Sequence, residues 1–125
     1  MIAELRCTVL DCPDPPSLAR FYQALLGGEV DRPDRRWTVG DDWATLHAPG
    51  GQVLAFQRVA GHRPPRWRDP ARPAQFHLDF AVPDLDHTGR QVAAPGATLL
   101  SPGDAGRPWS VHADPSGHPF CLVLH

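Results

Sequence analysis

Polar and apolar residues alternate most clearly between residues 75 and 84. The positions that point to one side of an extended chain are apolar: Phe76, Leu78, Phe80 and Val82. The opposite side carries His77 and Asp79. This period of two is typical of a half-buried strand. We predict that its apolar face packs against the helix that follows, which leaves an imidazole and a carboxylate on the free face, where a site can form.

The same pattern occurs earlier in the chain. Residues 7–14 align with residues 77–84, and both segments end in Pro-Asp. Residues 43–51 likewise align with residues 109–117, and both of these segments begin with Trp and end in Gly. The sequence therefore consists of two copies of one unit, each of roughly sixty residues.

Each copy predicts a strand, a helix and three further strands. In the first copy Asp14 caps a helix with apolar residues at i, i+3, i+4, i+7 and i+8, and Gly27 ends it. The predicted strands of the first copy are residues 4–12, 36–39, 43–47 and 53–59. Those of the second are residues 77–82, 98–100, 109–113 and 119–124, with a helix at 85–94. This order predicts an α+β fold built of two βαβββ modules.

The length of 125 residues suits one domain with a single core. We expect module one at about residues 3–60, a linker at 61–73 and module two at about 74–125. The linker is rich in proline and arginine. Two interpretations stay open for it: a functional or interfacial loop, or a solvated connection.

Composition excludes two classes of partner. The net charge of −2 gives no electrostatic footprint for nucleic acid. No apolar run approaches the ~18 residues that a membrane span needs. The three cysteines are an odd number, and the chain begins with no export signal, so we expect reduced thiols in a cytoplasmic protein.

Several motifs in this order resemble the vicinal oxygen chelate superfamily, and most of all its glyoxalase-like branch, the glyoxalase or bleomycin-resistance group. The motifs that carry the resemblance are Cys12-Pro13-Asp14-Pro15, Phe21-Tyr22, Leu25-Leu26-Gly27, His77-Leu78-Asp79-Phe80 and the segment 114–122. The resemblance covers essentially the whole chain. It implies curved sheets that enclose an open cleft, and a homodimer.

The resemblance also implies four metal-ligand positions, one on the first and one on the last strand of each module. In this sequence they hold Cys7, Ala55, His77 and Cys121. Metalloenzymes of the superfamily usually have His or Glu there, and only His77 matches. We therefore expect no metal and no cofactor. Zinc bound by Cys7, His77 and Cys121 is the alternative, because two thiolates and an imidazole suit that ion.

His77 and Asp79 are the candidate catalytic residues, acting as a base and the group that orients it. Alternatively, His77 is structural and Asp79 is a cleft-wall carboxylate or a hydrogen-bond acceptor, since side chains at i and i+2 on a strand run parallel.

The remaining candidates are ligand-binding residues. Trp43 and Trp109 are repeat-equivalent and suit the wall of a site for planar or apolar molecules. Gln57 follows Ala55 on the same strand face, and Arg107 can hold an anionic group at the cleft mouth. Cys7, His77 and Cys121 complete the predicted lining.

Three functions follow. The first is metal-free binding of a small organic molecule in the cleft. The second is an enzyme, a lyase, isomerase or dioxygenase, that uses a metal or His77 as acid and base. The third is a protein-interaction module whose cleft has decayed and no longer serves as a binding site.

Overall fold

The structure is a computed structural model that describes residues 1–37 and 40–125. Its two helices within these residues are α1 (Pro15–Leu26) and α2 (Leu85–Ala93). Its strands are β1 (Thr8–Cys12), β2 (Glu29–Val30), β3 (Trp43–His47), β4 (Val53–Arg58), β5 (Leu78–Val82), β6 (Thr98–Ser101), β7 (Trp109–Ala113) and β8 (Pro119–Leu124). They form two compact units, residues 1–62 and 63–125, each with the order strand, helix and three strands. The predicted α+β fold of two βαβββ modules is confirmed.

The first unit is a four-stranded sheet in the order β1-β4-β3-β2. β1 runs parallel to β4, and the other neighbours are antiparallel. α1 starts where the Asp14 carboxylate accepts a hydrogen bond from the Ser17 amide, at 3.2 Å. Its apolar side lies on the sheet, where Tyr22 stacks on Phe56 with ring centroids 5.7 Å apart. Both rings are fully buried, so this contact lies at the core of the unit.

The second unit repeats this topology with the order β5-β8-β7-β6. The Asp84 carboxylate caps α2 by accepting from the His87 amide at 2.6 Å. Polar residues enter the core beneath this helix: His112 stacks on Phe120 with ring centroids 5.5 Å apart, and its Nε2 lies 2.9 Å from the Ser110 hydroxyl. Hydrogen bonding to the serine is what allows an imidazole in an apolar core.

The alternation in β5 is arranged as predicted, with one exception. Val82 is buried on the helix side and Asp79 is exposed on the other. Phe76, predicted on the buried face, is 57% exposed, because it precedes the first paired residue of β5.

Three boundaries in the first unit differ from the prediction. β1 begins at Thr8 rather than at residue 4, because its ladder with β4 starts at the pair Thr8 and Leu54. β2 was not predicted. The strand predicted at residues 36–39 is not present at Arg36 and Trp37, which lie in a turn and a bend, and its other two residues lie outside the described ones.

The predicted linker, residues 61–73, contains no helix or strand, and from Arg63 onward it belongs to the second unit. Backbone hydrogen bonds fold it on itself: the Arg66 amide donates to the Arg72 carbonyl at 2.8 Å, and the Asp69 amide to the Arg66 carbonyl at 3.0 Å. Residues 63–73 thus form an ordered loop of the second unit. Among the residues described, neither α1 nor α2 has the length and apolarity to cross a bilayer.

Candidate functional site

The two faces of the second sheet differ in chemistry. One face carries His112 and Phe120 and is covered by α2. The opposite face, called here the inner face, carries the alternate residues of the same strands. The parallel pairing of β5 with β8 sets Asp79 beside Cys121, and the antiparallel pairing of β7 with β8 sets Trp109 beside Val123. Residues far apart in sequence therefore share one surface.

Three metal-ligating side chains converge on the inner face. His77 Nε2 lies 3.2 Å from Asp79 Oδ1. One ligand atom from each of His77, Asp79 and Cys121 lies within 4.8 Å of the other two. The His77 and Asp79 side chains are 40% and 60% exposed, whereas Cys121 is buried. The i, i+2 spacing thus permits a direct contact between imidazole and carboxylate, since His77 precedes the first residue of β5.

The electrostatics of the cluster keep its cysteine protonated. Burial, together with the charge of Asp79 and a hydrogen bond to it, raises the pKa of Cys121 to about 11. Without a bound cation the cysteine is therefore a thiol near neutral pH, and it is a poor nucleophile because the thiolate is the reactive form.

A cavity of about 350 Å3 opens above this cluster. Its walls include Trp67 and Trp109, with His77, Asp79, Cys121 and Val123 completing the lining. The Trp67 ring meets the His77 imidazole edge-on, with centroids 6.4 Å apart. Among the residues that line this cavity Asp79 is the only acid, and none is an arginine.

Trp67 reaches the cavity from the ordered loop, and backbone strain marks this segment. Arg68 within the loop and Gln75, two residues after it, adopt left-handed φ values of 66° and 65°. Non-glycine residues in this region are uncommon and cost of order 1–3 kcal/mol, a strain that concentrates at functional sites. The loop places Trp67 in the wall of the cavity. Whether the loop is functional or a solvated connection stays a prediction.

The equivalent positions of the first unit lack this chemistry. The register of β1 and β4 sets Val9 beside Ala55, just as that of β5 and β8 sets Asp79 beside Cys121. Cys7 takes the place of His77 in the repeat. Val9 and Ala55 therefore offer no metal donor at the positions where the second unit has Asp79 and Cys121.

The first unit has a separate cavity of about 490 Å3, which His47 and Trp37 line together with Arg6. The Arg6 guanidinium lies 4.7 Å from the centre of the Trp37 ring, and His47 Nε2 lies 3.3 Å from the Thr45 hydroxyl. Trp37 also contacts the His47 ring edge-on at 5.6 Å. Arg6, Trp37 and His47 therefore form one contact cluster at this cavity, although the buried indole nitrogen of Trp37 has no hydrogen-bond partner among the described residues.

The predicted binding residues divide between the two units. His77, Asp79, Trp109 and Cys121 come together around the second cavity. Cys7, Trp43 and Gln57 lie in the first unit and line neither cavity, and Trp43 faces Gln57 across the β3–β4 ladder.

Arg107 also lies outside the lining of the second cavity. Its guanidinium donates a hydrogen bond to the Pro102 carbonyl, which occupies part of its donor capacity. Its role as an anion ligand stays a prediction.

Comparison with protein families gives a match over residues 7–123 to the model described as a glyoxalase-like domain. The chain belongs to this family. It is therefore a domain of the vicinal oxygen chelate superfamily, as its motifs predict. A comparison with curated proteins gave no significant match.

Solved structures share the fold of this glyoxalase-like domain. A hypothetical protein from S. aureus is 15% identical, with a TM-score of 0.70 and complete coverage of both chains. A glyoxalase/bleomycin resistance protein/dioxygenase family enzyme from Burkholderia phytofirmans PsJN is 18% identical, with a TM-score of 0.67 and 98% coverage of each chain. The fosfomycin resistance protein FosX from Mesorhizobium loti is 16% identical, with a TM-score of 0.68 over 98% of this chain and 92% of its own. At these identities the likeness concerns the fold alone.

Proposed function

We propose that this glyoxalase-like protein binds a small organic molecule in the cavity of its second unit. The observation that carries the proposal is a cavity of about 350 Å3 that is lined by two indoles, Trp67 and Trp109, and by the polar pair His77 and Asp79. Small-molecule sites are concave, mostly apolar and fixed by a few polar groups, with volumes from about 300 Å3 upward. Trp109 is 40% exposed, which leaves its ring available for a ligand.

The ligand class that fits best is planar or apolar with a donor or acceptor at one end. Aromatic rings offer large contact areas to such molecules. The imidazole and the carboxylate at the floor select the polar end, because leaving either of them unpaired under a bound ligand costs free energy. Stacking contact of this kind does not itself require a metal.

Tryptophan emission tests the proposal. Apo protein in chelator is titrated with a library of small aromatic and aliphatic metabolites, and quenching or a spectral shift reports binding next to an indole. Trp109→Ala should weaken binding about 5- to 150-fold, the equivalent of about 1–3 kcal/mol for an aromatic anchor.

Trp43→Ala is the matched control, because Trp43 is the repeat-equivalent residue of the first unit and lies outside this cavity. It should leave affinity unchanged. Equal affinity in Trp109→Ala, or loss of affinity in Trp43→Ala, contradicts the proposed location.

A second candidate function, acid–base catalysis, is favoured by the contact between His77 and Asp79. In this interpretation Asp79 orients the imidazole, whose second nitrogen accepts a proton from a bound substrate. His77→Gln should then abolish turnover of any substrate found in the screen while the affinity changes little. If His77→Gln retains turnover, His77 serves binding alone.

A further inference from the structure

The inner face of the second unit combines three donors of different chemistry at one point. His77 supplies an imidazole, Asp79 a carboxylate and Cys121 a thiol, and their ligand atoms lie within 4.8 Å of one another. Two ligand atoms on a tetrahedral zinc lie about 3.3 to 3.7 Å apart, as follows from usual bond lengths of about 2.0–2.3 Å. The pair His77 Nε2 and Asp79 Oδ1, at 3.2 Å, is already close to this spacing.

The backbone holds the three groups in this arrangement. Asp79 and Cys121 are register partners on adjacent parallel strands, which fixes their side chains on the same face. His77 precedes β5 by one residue and approaches from the loop side. Cys121 is buried, while His77 and Asp79 open to the cavity, so an ion there has a protein-covered side and an open side.

The donor set indicates which ion fits. Magnesium and calcium prefer oxygen ligands, of which this cluster offers one residue. A thiolate, an imidazole and a carboxylate are the ligands of zinc and of similar borderline cations, and three protein ligands with an open position are typical of zinc sites that act on a substrate.

We propose that His77, Asp79 and Cys121 form a zinc-type metal site confined to the second unit. The superfamily resemblance implies four positions drawn from both modules, of which His77 and Cys121 are two, and the expectation of no metal was based on that set. Asp79 does not occupy any of those four positions, and it supplies the donor that Ala55 cannot. The site shares His77 and Asp79 with the proposed function, but stacking between a ligand and the indoles does not itself require an ion.

Cobalt provides a test whose readout does not depend on activity. Protein is prepared without a polyhistidine tag, stripped with chelator, and titrated with Co2+ under anaerobic conditions. We expect one equivalent to produce a thiolate-to-cobalt charge-transfer band together with visible bands typical of a four-coordinate ion. One equivalent of Zn2+ should abolish both, because zinc binds such ligands more tightly than cobalt.

Variants assign the ligands. Cys121→Ser should remove the charge-transfer band, and Asp79→Asn and His77→Ala should each weaken cobalt binding by at least the 10- to 100-fold typical of losing an outer-shell partner. Cys7→Ser is the matched control, because Cys7 is a free cysteine in the first unit, outside the cluster. It should keep both the spectrum and the affinity of the parent chain.

The outcomes separate cleanly. Absence of a charge-transfer band in the parent chain overturns the proposal, as does a band that survives Cys121→Ser or disappears in Cys7→Ser. If Cys121→Ser fails to fold, the exposed positions His77 and Asp79 decide: unchanged cobalt affinity in both variants refutes the site. The fluorescence titration in chelator reports on ligand binding separately, so failure of one proposal is distinguishable from failure of the other.

Discussion

Replacing Gly89 with alanine should stabilise the second unit. Gly89 lies inside α2, where glycine is about 1 kcal/mol less favourable than alanine. A Cβ built there meets His112 Cε1 at 3.6 Å, an ordinary van der Waals contact, and the residue is not among those with positive φ. The propensity gain therefore has no steric cost to offset it. We expect the free energy of unfolding to rise by about 1 kcal/mol, which raises Tm by roughly 3–5 °C for a chain of this size.

Far-ultraviolet circular dichroism during urea and thermal unfolding measures this change. Gly117→Ala is the contrasting variant: the φ of Gly117 is +91°, and a Cβ there would clash with Pro64 Cβ. It should lose about 1–3 kcal/mol. A destabilised Gly89→Ala variant would refute the reasoning, since it would mean that α2 lies closer to His112 than the 3.6 Å spacing allows.

Three further predictions concern titration, reactivity and assembly. Burial lowers the pKa of His112, so the unfolded state binds more protons than the folded state. The stability that this residue contributes is complete above its unfolded pKa of about 6.5 and is lost as pH falls through its folded pKa. In His112→Gln the free energy of unfolding, measured in urea, should lack this dependence on pH. If His112→Gln keeps the same pH dependence, another group causes it and the prediction is wrong. The pKa of Cys121 is raised to about 11, so at about pH 8 this cysteine should be alkylated much more slowly in the folded protein than in urea. Peptide mass spectrometry measures both rates, and equal rates would contradict the raised pKa. The predicted homodimer should give twice the 13.7 kDa chain mass in light scattering, and the monomer mass would exclude it.

Local patterns allowed the elements to be predicted well. α1 combines an N-cap, a proline at its start and a regular apolar stripe, and each of these depends only on neighbours in sequence. β2 could not be found in this way. Its two residues, Glu29 and Val30, are too few for a period and are a strand only because His47 and Leu46 pair with them.

The site was predictable only where its residues belong to a local pattern of the sequence. His77 and Asp79 stand out in the sequence by their alternation, and the repeat identifies Trp109 as a counterpart of Trp43. The contact of Asp79 with Cys121 depends on the β5–β8 register, which joins segments that are distant in the chain. Trp67 lies in a segment without periodicity, so only the folded loop reveals that it lines the cavity.

The position of β8 between β5 and β7 has a consequence for folding kinetics. Among the described strands β5 pairs with β8 alone, so the strand that follows His77 has no partner until the last strand of the sequence lies beside it. Pairings with such long sequence separation close large loops and form slowly. Because Cys121 and Val123 of β8 line the cavity, the cavity is complete only when β8 is in place. An ion or small molecule bound there would contact β5 and β8 together and would therefore stabilise their pairing against detachment of β8.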